Sequence, residues 1–351
     1  MSPAPRSGGR TLARAGAAVS GLAAAAYGAQ RVAAARLRRR SDPHAGRPHD
    51  LDADVTHDLE SHDGGSIHVI ERGSGMPLVF SHGVTLSART WVRQFESMPQ
   101  DGFRVIAFDH RGHGSSTTGA TGHSVENLAW DFRTVLEGLD LTGAVIIGHS
   151  MGGIAAQAFA VTHPKIMAAR VGGIVLLSTI ASTPLADPRA ARVKAVVSRI
   201  TGAMPDTSVI WGARNLGLLL ARVGFGRDAK PSDVELVRQM MLDCPSETRR
   251  EAPRSILGVD LTSQLGSIEV PTLVIGGTAD VITPPWEARR VASLIPGARC
   301  ELFEGGGHML MLEQPDRLNS VIEGFAREVA NGRVGDADHG RAAGSAPRAG
   351  G

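Results

Sequence analysis

The sequence predicts a doubly wound α/β fold: a mostly parallel sheet with helices on both faces and a helical insertion between two core strands. Three observations lead there. Short apolar runs rich in β-branched residues recur along the chain. They lack the in–out alternation of a half-exposed strand, as strands buried on both faces do. Helix-like stretches separate them, and one interval, 181–262, holds helix-like pieces only.

Residues 1–50 form an Arg/Ala-rich segment and linker, with nine Arg against two Asp. The whole chain is +2, so the remaining residues carry a net −5. The basic excess therefore lies outside the folded body, and nucleic-acid binding by that body is unsupported. Within 11–40 an uncharged run of 16 residues lies between Arg14 and Arg31, short of the roughly 20 apolar residues of a spanning helix. Leu12, Val19 and Leu22 share one helical face, and Tyr27 suits a lipid interface. Three readings follow, in this order: a membrane-attached helix, a free arm, or a signal peptide cleaved near Ala24-Ala25-Ala26. Attachment would leave the Arg-rich flank at 31–40, and the folded body, on the cytoplasmic side; cleavage would mean export. The next stretch, 41–54, reads as a solvated linker running into a hairpin. Its histidines and those just beyond (His44, His49, His57, His62, His68) match no metal-ligand spacing.

The core is assigned to 51–180 and 263–331. Strands are expected at 66–73, 77–83, 104–109, 144–150, 172–178, 271–277 and 298–303. Residues 124–139 carry Val125, Leu128, Phe132, Val135, Leu136 and Leu139 at helical spacing, with Ser124 as N-cap. Leu318, Val321, Ile322, Phe325 and Val329 repeat the pattern near the end. The insertion, 181–262, contains helix-like pieces at 211–225 and 233–243 and is read as a cap. A disordered tail is expected over 332–351. The two cysteines, Cys244 and Cys300, make neither a disulfide framework nor a zinc site.

One serine stands out. "GHSMGG" (148–153) follows the strand-like "AVII" and precedes an alanine-rich helical run. Gly-x-Ser-x-Gly at a strand-to-helix turn is a nucleophile elbow: the turn strains the serine backbone and lifts its hydroxyl above the sheet edge. Such a serine needs a base and an orienting acid, in the order Ser, Asp/Glu, His. Only His163, His308 and His339 follow Ser150. His163 lies 13 residues along the same helix, about 20 Å away at 1.5 Å per residue, and His339 sits in the glycine-rich tail. His308, after three glycines, is the base by elimination. Asp280, on the loop leaving 271–277, is the acid; "STIAST" (178–183), after the preceding strand, offers no carboxylate. Thr283 and Pro284 read as cap and first residue of the next helix. The oxyanion donors are assigned to the backbone amides of Met151, opening the helix, and Val84, after His82-Gly83. His82 is read as a brace for its loop.

Together these residues resemble the α/β-hydrolase superfamily: "HG" at 82–83, "DHRGHGSS" at 109–116, "GHSMGG" at 148–153, the Asp280 loop and "GGGHMLMLEQP" at 305–315. The resemblance covers 55–180 and 263–330. It implies a loop-shaping role for Asp109, Arg111 and His113. Serine at the elbow separates the chain from the epoxide hydrolases and haloalkane dehalogenases of this fold, which use aspartate. It implies an acyl-enzyme, no cofactor, no metal, and a small-molecule ester or lipid as substrate. Trp211, Leu219 and Met241 are the cap candidates for binding an apolar acyl group. Two alternatives stay open. The same triad could serve a haloperoxidase-like perhydrolase, an acyltransferase or a carbon–carbon bond hydrolase. Or the protein could be a non-enzymatic small-molecule receptor or signalling protein with a retained triad.

Overall fold

The computed structural model describes residues 26–47, 49–183 and 207–332. The expectations placed on 11–25, on cleavage near Ala24, on the first part of the insertion and on the tail from 333 lie outside these residues.

Eight strands form one sheet: β1 (Val55–Glu60), β2 (Ser66–Arg72), β3 (Met76–Ser81), β4 (Phe103–Phe108), β5 (Ala144–His149), β6 (Val171–Leu177), β7 (Thr272–Gly277) and β8 (Arg299–Phe303). Their order is β1-β2-β4-β3-β5-β6-β7-β8. β1 and β2 join antiparallel to the β4 edge, and all other pairs are parallel. β1 was not among the expected strands. Its burial alternates and it forms the sheet edge, so it lacks the apolar run of a central strand.

The central strands split their side chains between two cores, with the period of two that a pleat imposes. Leu78, Phe80, Val105, Ala107, Val145 and Ile147 face one core. Val79, Ile106, Phe108 and Ile146 face the other. The first core is covered by α2 (Val92–Ser97) and by the C-terminal helix 315–330 through Leu318, Ile322 and Phe325. The second is covered by α3 (Val125–Gly138) and α4 (Met151–Thr162), followed by α5 (Pro164–Arg170). In α3 the expected face is the buried one, and Ser124 Oγ accepts from the Asn127 amide at 3.0 Å. Helices on both faces of a mostly parallel sheet make this the doubly wound α/β architecture.

Between β6 and β7 the described chain is helical: α6 (Ser208–Gly212), α7 (Arg214–Arg222), α8 (Pro231–Asp243) and α9 (Ser246–Ile256). The single piece expected over 211–225 is in fact two helices that meet at Ala213. After β7 come α10 (Pro285–Leu294), the short α11 (Leu310–Glu313) and α12 (Pro315–Ala330).

The segment expected over 11–40 is helical where it is described, and the linker expected after it is partly docked. Residues 26–38 are helical (α1), and Ala34 and Leu37 are buried in the first core. Arg38 donates to Asn215 Oδ1 at 2.8 Å. Asp42 accepts from the Ser232 amide and hydroxyl in the first turn of α8, at 2.7 and 3.0 Å. His44 is buried, with its ring 2.8 Å from Asp233, which also pairs with the buried Arg93 at 3.1 Å. Asp42 satisfies an amide that the start of α8 leaves without an intrahelical partner. This part of the linker is therefore docked, not solvated. No helix among the described residues is long and apolar enough to cross a membrane.

Candidate active site

Four of the residues singled out in the sequence follow the carboxyl end of a parallel strand: Val84 after β3, Ser150 after β5, Asp280 after β7 and His308 after β8. That edge is where open α/β sheets gather their ligands.

Ser150 has φ 52° and ψ −112°, a conformation that costs a non-glycine residue on the order of 1–3 kcal/mol. The surroundings hold it there. Its amide donates to Leu177 O at 3.0 Å, and Thr179 Oγ1 donates to its carbonyl at 2.7 Å. The two glycines of the motif answer to space. A Cβ on Gly148 would lie 2.5 Å from Gly152 O, and one on Gly152 would lie 2.2 Å from Ser81 Oγ.

His308 is buried, and its Nδ1 lies 2.9 Å from Asp280 Oδ2. Asp280 is an all-acceptor carboxylate. Its Oδ1 accepts from the amides of Ile282 and Thr283 at 2.8 and 2.9 Å, and its Oδ2 also accepts from Thr283 Oγ1 at 2.7 Å. Burial pushes its pKa up, but the His308 and Thr283 bonds outweigh that and hold it below the ordinary carboxylate value. Thr283 is thus a ligand of Asp280, not the helix cap expected of it; the N-cap is Pro284 and the helix opens at Pro285. Its hydroxyl is drawn to the carboxylate three residues back.

Ser150 and His308 line one cavity of about 210 Å³, together with Gly83, Val84, Leu86 and Met309. The loop carrying Val84 presses on the serine: a Cβ on Gly83 would lie 3.3 Å from Ser150 Cβ. Among the described residues neither the Val84 nor the Met151 amide donates to a protein acceptor. Met151 opens α4, where helix amides are free by position. The loop is braced from behind. The His82 ring donates from Nδ1 to Gly83 O at 2.7 Å and accepts the His110 amide at Nε2 at 3.0 Å. Asp109 accepts the Ala88 and Ser115 amides at 2.7 and 2.9 Å, and His113 Nε2 accepts the Thr85 amide at 3.2 Å. Arg111 is clasped by Asp131 and Asp63. Burial keeps the His82 and His113 rings far below the usual histidine range, and so neutral.

Of the three insertion residues named from sequence, Met241 lines the cavity. Trp211 and Leu219 instead pack partly buried against the first core. The lining on α7 and just beyond it comes from Leu220, Ala221, Val223 and Gly224. Leu219 is one residue, or about 100° of helix, away from Leu220.

Two side chains escaped the sequence reading. His149 is fully buried; its Nε2 donates to His308 O at 3.0 Å, and the two rings lie 4.7 Å apart. Burial keeps it neutral. Glu313 is the second. Its Oε2 accepts the Gly226 amide at 2.6 Å and its Oε1 accepts the Gly307 amide at 3.0 Å. It thereby clamps the insertion to the His308 loop, beside backbone bonds from His308 N to Gly224 O (2.8 Å) and from Arg227 N to Gly305 O (2.9 Å). The available signal was a lone carboxylate in the apolar run "MLMLEQP", five residues past the histidine.

Burial lifts Glu313 from its ordinary 4.5 to about 7, against the pull of the amides of Gly226, Gly307 and Met309. A raised acid is a stabilising group while protonated. That contribution is full below about pH 4.5 and is lost as pH rises through about 7. Glu313→Gln cannot ionise and mimics the protonated form at every pH. Its melting temperature relative to wild type should therefore improve as pH rises from about 5 to about 8, by the equivalent of on the order of 2–3 kcal/mol. A difference independent of pH would show that Glu313 does not titrate in this range.

Among the described residues no group of three or more His, Cys, Asp or Glu is placed to hold a metal ion. Cys244 is buried and Cys300 exposed, both as free thiols.

A strand–elbow–helix serine and a His–Asp pair on one sheet edge define a class, and comparison with known proteins agrees. Residues 76–315 match the family model described as alpha/beta hydrolase fold. The chain belongs to the α/β-hydrolase family. It is similar to a non-heme chloroperoxidase of Streptomyces lividans, 31% identical over 267 residues, covering 72% of this chain and 92% of that protein. It is also similar to a non-heme haloperoxidase of Rhodococcus erythropolis, 28% identical, covering 75% and 96%. Among solved structures, a thermophilic esterase from Thermogutta terrifontis superimposes with a TM-score of 0.66 at 28% identity, covering 78% of this chain and 99% of that one.

Proposed function

We propose that this protein is a serine hydrolase that cleaves carboxylic esters through an acyl-enzyme on Ser150. The observation that carries the reading is the His308 Nδ1–Asp280 contact of 2.9 Å at a cavity that Ser150 also lines. Asp280 accepts the Nδ1 proton, so the lone pair of His308 sits on Nε2. That nitrogen takes the Ser150 proton as Oγ attacks the acyl carbon. The tetrahedral oxyanion is received by the free amides of Val84 and Met151, with the positive end of α4 behind them. The protonated imidazole then hands its proton to the departing alkoxide. Water attacks the acyl-enzyme, gives its proton to Nε2, and the acid leaves as the proton returns to Ser150. The apolar lining, with Leu86, Leu220, Val223, Val237, Met241 and Ile282, suits the acyl side of a small ester. The test is a fluorophosphonate probe, with peptide mapping expected to place the label on Ser150; a label elsewhere, or none, defeats the reading.

Likeness to a non-heme chloroperoxidase at 31% identity favours one second reading, in which peroxide replaces water as acceptor and a peracid is released. Product analysis with water and peroxide in competition decides. Carboxylic acid is expected to dominate, and a predominance of peracid would select the perhydrolase. Slow release of a retained ligand, with hardly any turnover, would instead select the receptor.

A further inference from the structure

Among the described residues the exposed large apolar side chains are concentrated in one place. Among the described residues ten large apolar side chains are exposed, and nine of them lie on three segments: Tyr27 and Val32 on α1; Val209, Leu216, Leu220 and Val223 on or beside α6 and α7; and Val281, Ile282 and Trp286 on the loop past Asp280. The segments adjoin. α1 meets α7 through the Arg38–Asn215 bond and a crevice lined by Tyr27, Gln30, Arg31, Arg38, Arg214 and Asn215. α7 meets the loop at the cavity mouth, where Leu220, Val223 and Ile282 line the same opening. Leu216, Leu220 and Val223 follow one another at four and three residues, a single stripe along the helix.

The charge on these segments has one sign. Residues 26–41 contain five Arg, residues 207–223 contain two, and no Asp or Glu occurs in either range or in 281–286. None of these seven arginines forms a salt bridge with a described residue, although Arg38, Arg40 and Arg222 donate to Asn215 Oδ1, Ala229 O and Phe225 O, and the Glu235 and Glu313 carboxylates act on Arg214 and Arg222 from a distance. Some arginines elsewhere, such as Arg93, Arg104, Arg111 and Arg238, are paired with carboxylates. Scattered apolar side chains are normal on a surface; a contiguous set around a cavity mouth is not.

We propose that α1, α7 and the 281–286 loop form a peripheral docking face for an anionic phospholipid bilayer, with the cavity mouth opening toward the lipid. Unpaired arginines match the negative leaflet, while Tyr27 and Trp286, half or more exposed, suit the headgroup level. The apolar stripe of α7 enters the acyl boundary. A neutral bilayer offers no counter-charge to the exposed arginines of α1 and α7, and a second copy of this face would set them against one another. The proposal does not depend on which reaction Ser150 performs.

The test is co-sedimentation of the full chain with phosphatidylcholine vesicles and with vesicles carrying about a quarter phosphatidylglycerol. Binding is expected to the second alone and to weaken as salt rises. The triple variant Arg31→Ala, Arg36→Ala, Arg214→Ala is expected to bind more than about tenfold less, since each arginine near an anionic surface is worth about fivefold. Trp286→Ser with Val281→Ser is expected to weaken binding as well, while both variants turn over a soluble ester as wild type does. No binding, equal binding to both vesicles, or variants that bind within about twofold of wild type would overturn the proposal. So would loss of binding on removing residues 1–25 while the arginine variant binds normally, which would place the contact in that segment. A wild-type dimer that Trp286→Ser dissociates would give the face to a second copy instead.

Discussion

Replacing Ser150 with alanine is expected to lower kcat/KM on a short p-nitrophenyl ester by roughly 10⁴- to 10⁶-fold and to abolish fluorophosphonate labelling. The size of the effect follows from the division of labour at the site. The strain at Ser150, φ 52° and ψ −112°, is maintained by its own amide and carbonyl bonds to Leu177 and Thr179. Alanine keeps both backbone groups and loses only the hydroxyl, so the elbow should stand and the melting temperature should hold. On the proposed mechanism, what remains is a cavity with oxyanion donors and a base that has no nucleophile to activate. Steady-state turnover within about tenfold of wild type would remove Ser150 from the chemistry.

Asp280→Asn is expected to cost about 10⁴-fold in kcat with the fold retained. Asp280 accepts four bonds, from the Ile282 and Thr283 amides, Thr283 Oγ1 and His308 Nδ1. An asparagine has one acceptor oxygen. Directed at the two amides, it turns its NH₂ toward Thr283 and His308. The imidazole Nδ1 must then accept, its proton moves to Nε2, and the nitrogen meant for the Ser150 proton is already occupied. The discriminating readout is kcat: a purely structural aspartate would leave it normal, whatever the change in melting temperature. Because the Asp280 pKa lies below the ordinary carboxylate value, its stabilising contribution is present at neutral pH and is lost only as pH falls through that lowered value.

The central parallel strands were legible because they are buried on both faces; β8, an exposed edge strand, was legible from its place before the glycine loop instead. "AVIIGH" of β5 is buried throughout, and so it reads as an uninterrupted apolar run. The candidate order Ser150, Asp280, His308 could be proposed because only three histidines follow Ser150 in the sequence. β1 was hidden by its half-exposed edge position. Thr283 was misread because a threonine before two prolines looks like a cap until a carboxylate three residues back claims its hydroxyl. Trp211 and Leu219 were chosen for size and apolarity, properties that do not reveal which way a helix is rotated.

The sequence by itself determined the central parallel strands, the strand–turn–helix of the elbow and the chemical types available at the sheet's carboxyl edge, since these follow from local periodicity, turn geometry and chain order. Only the tertiary structure decided that His149 holds the His308 carbonyl, that Glu313 clamps the insertion to the histidine loop, and that α1 docks beside α7. The partners in these contacts lie 159, 87 and 177 residues apart. No local pattern encodes a hydrogen bond at that separation; it exists only once packing has brought the two segments together.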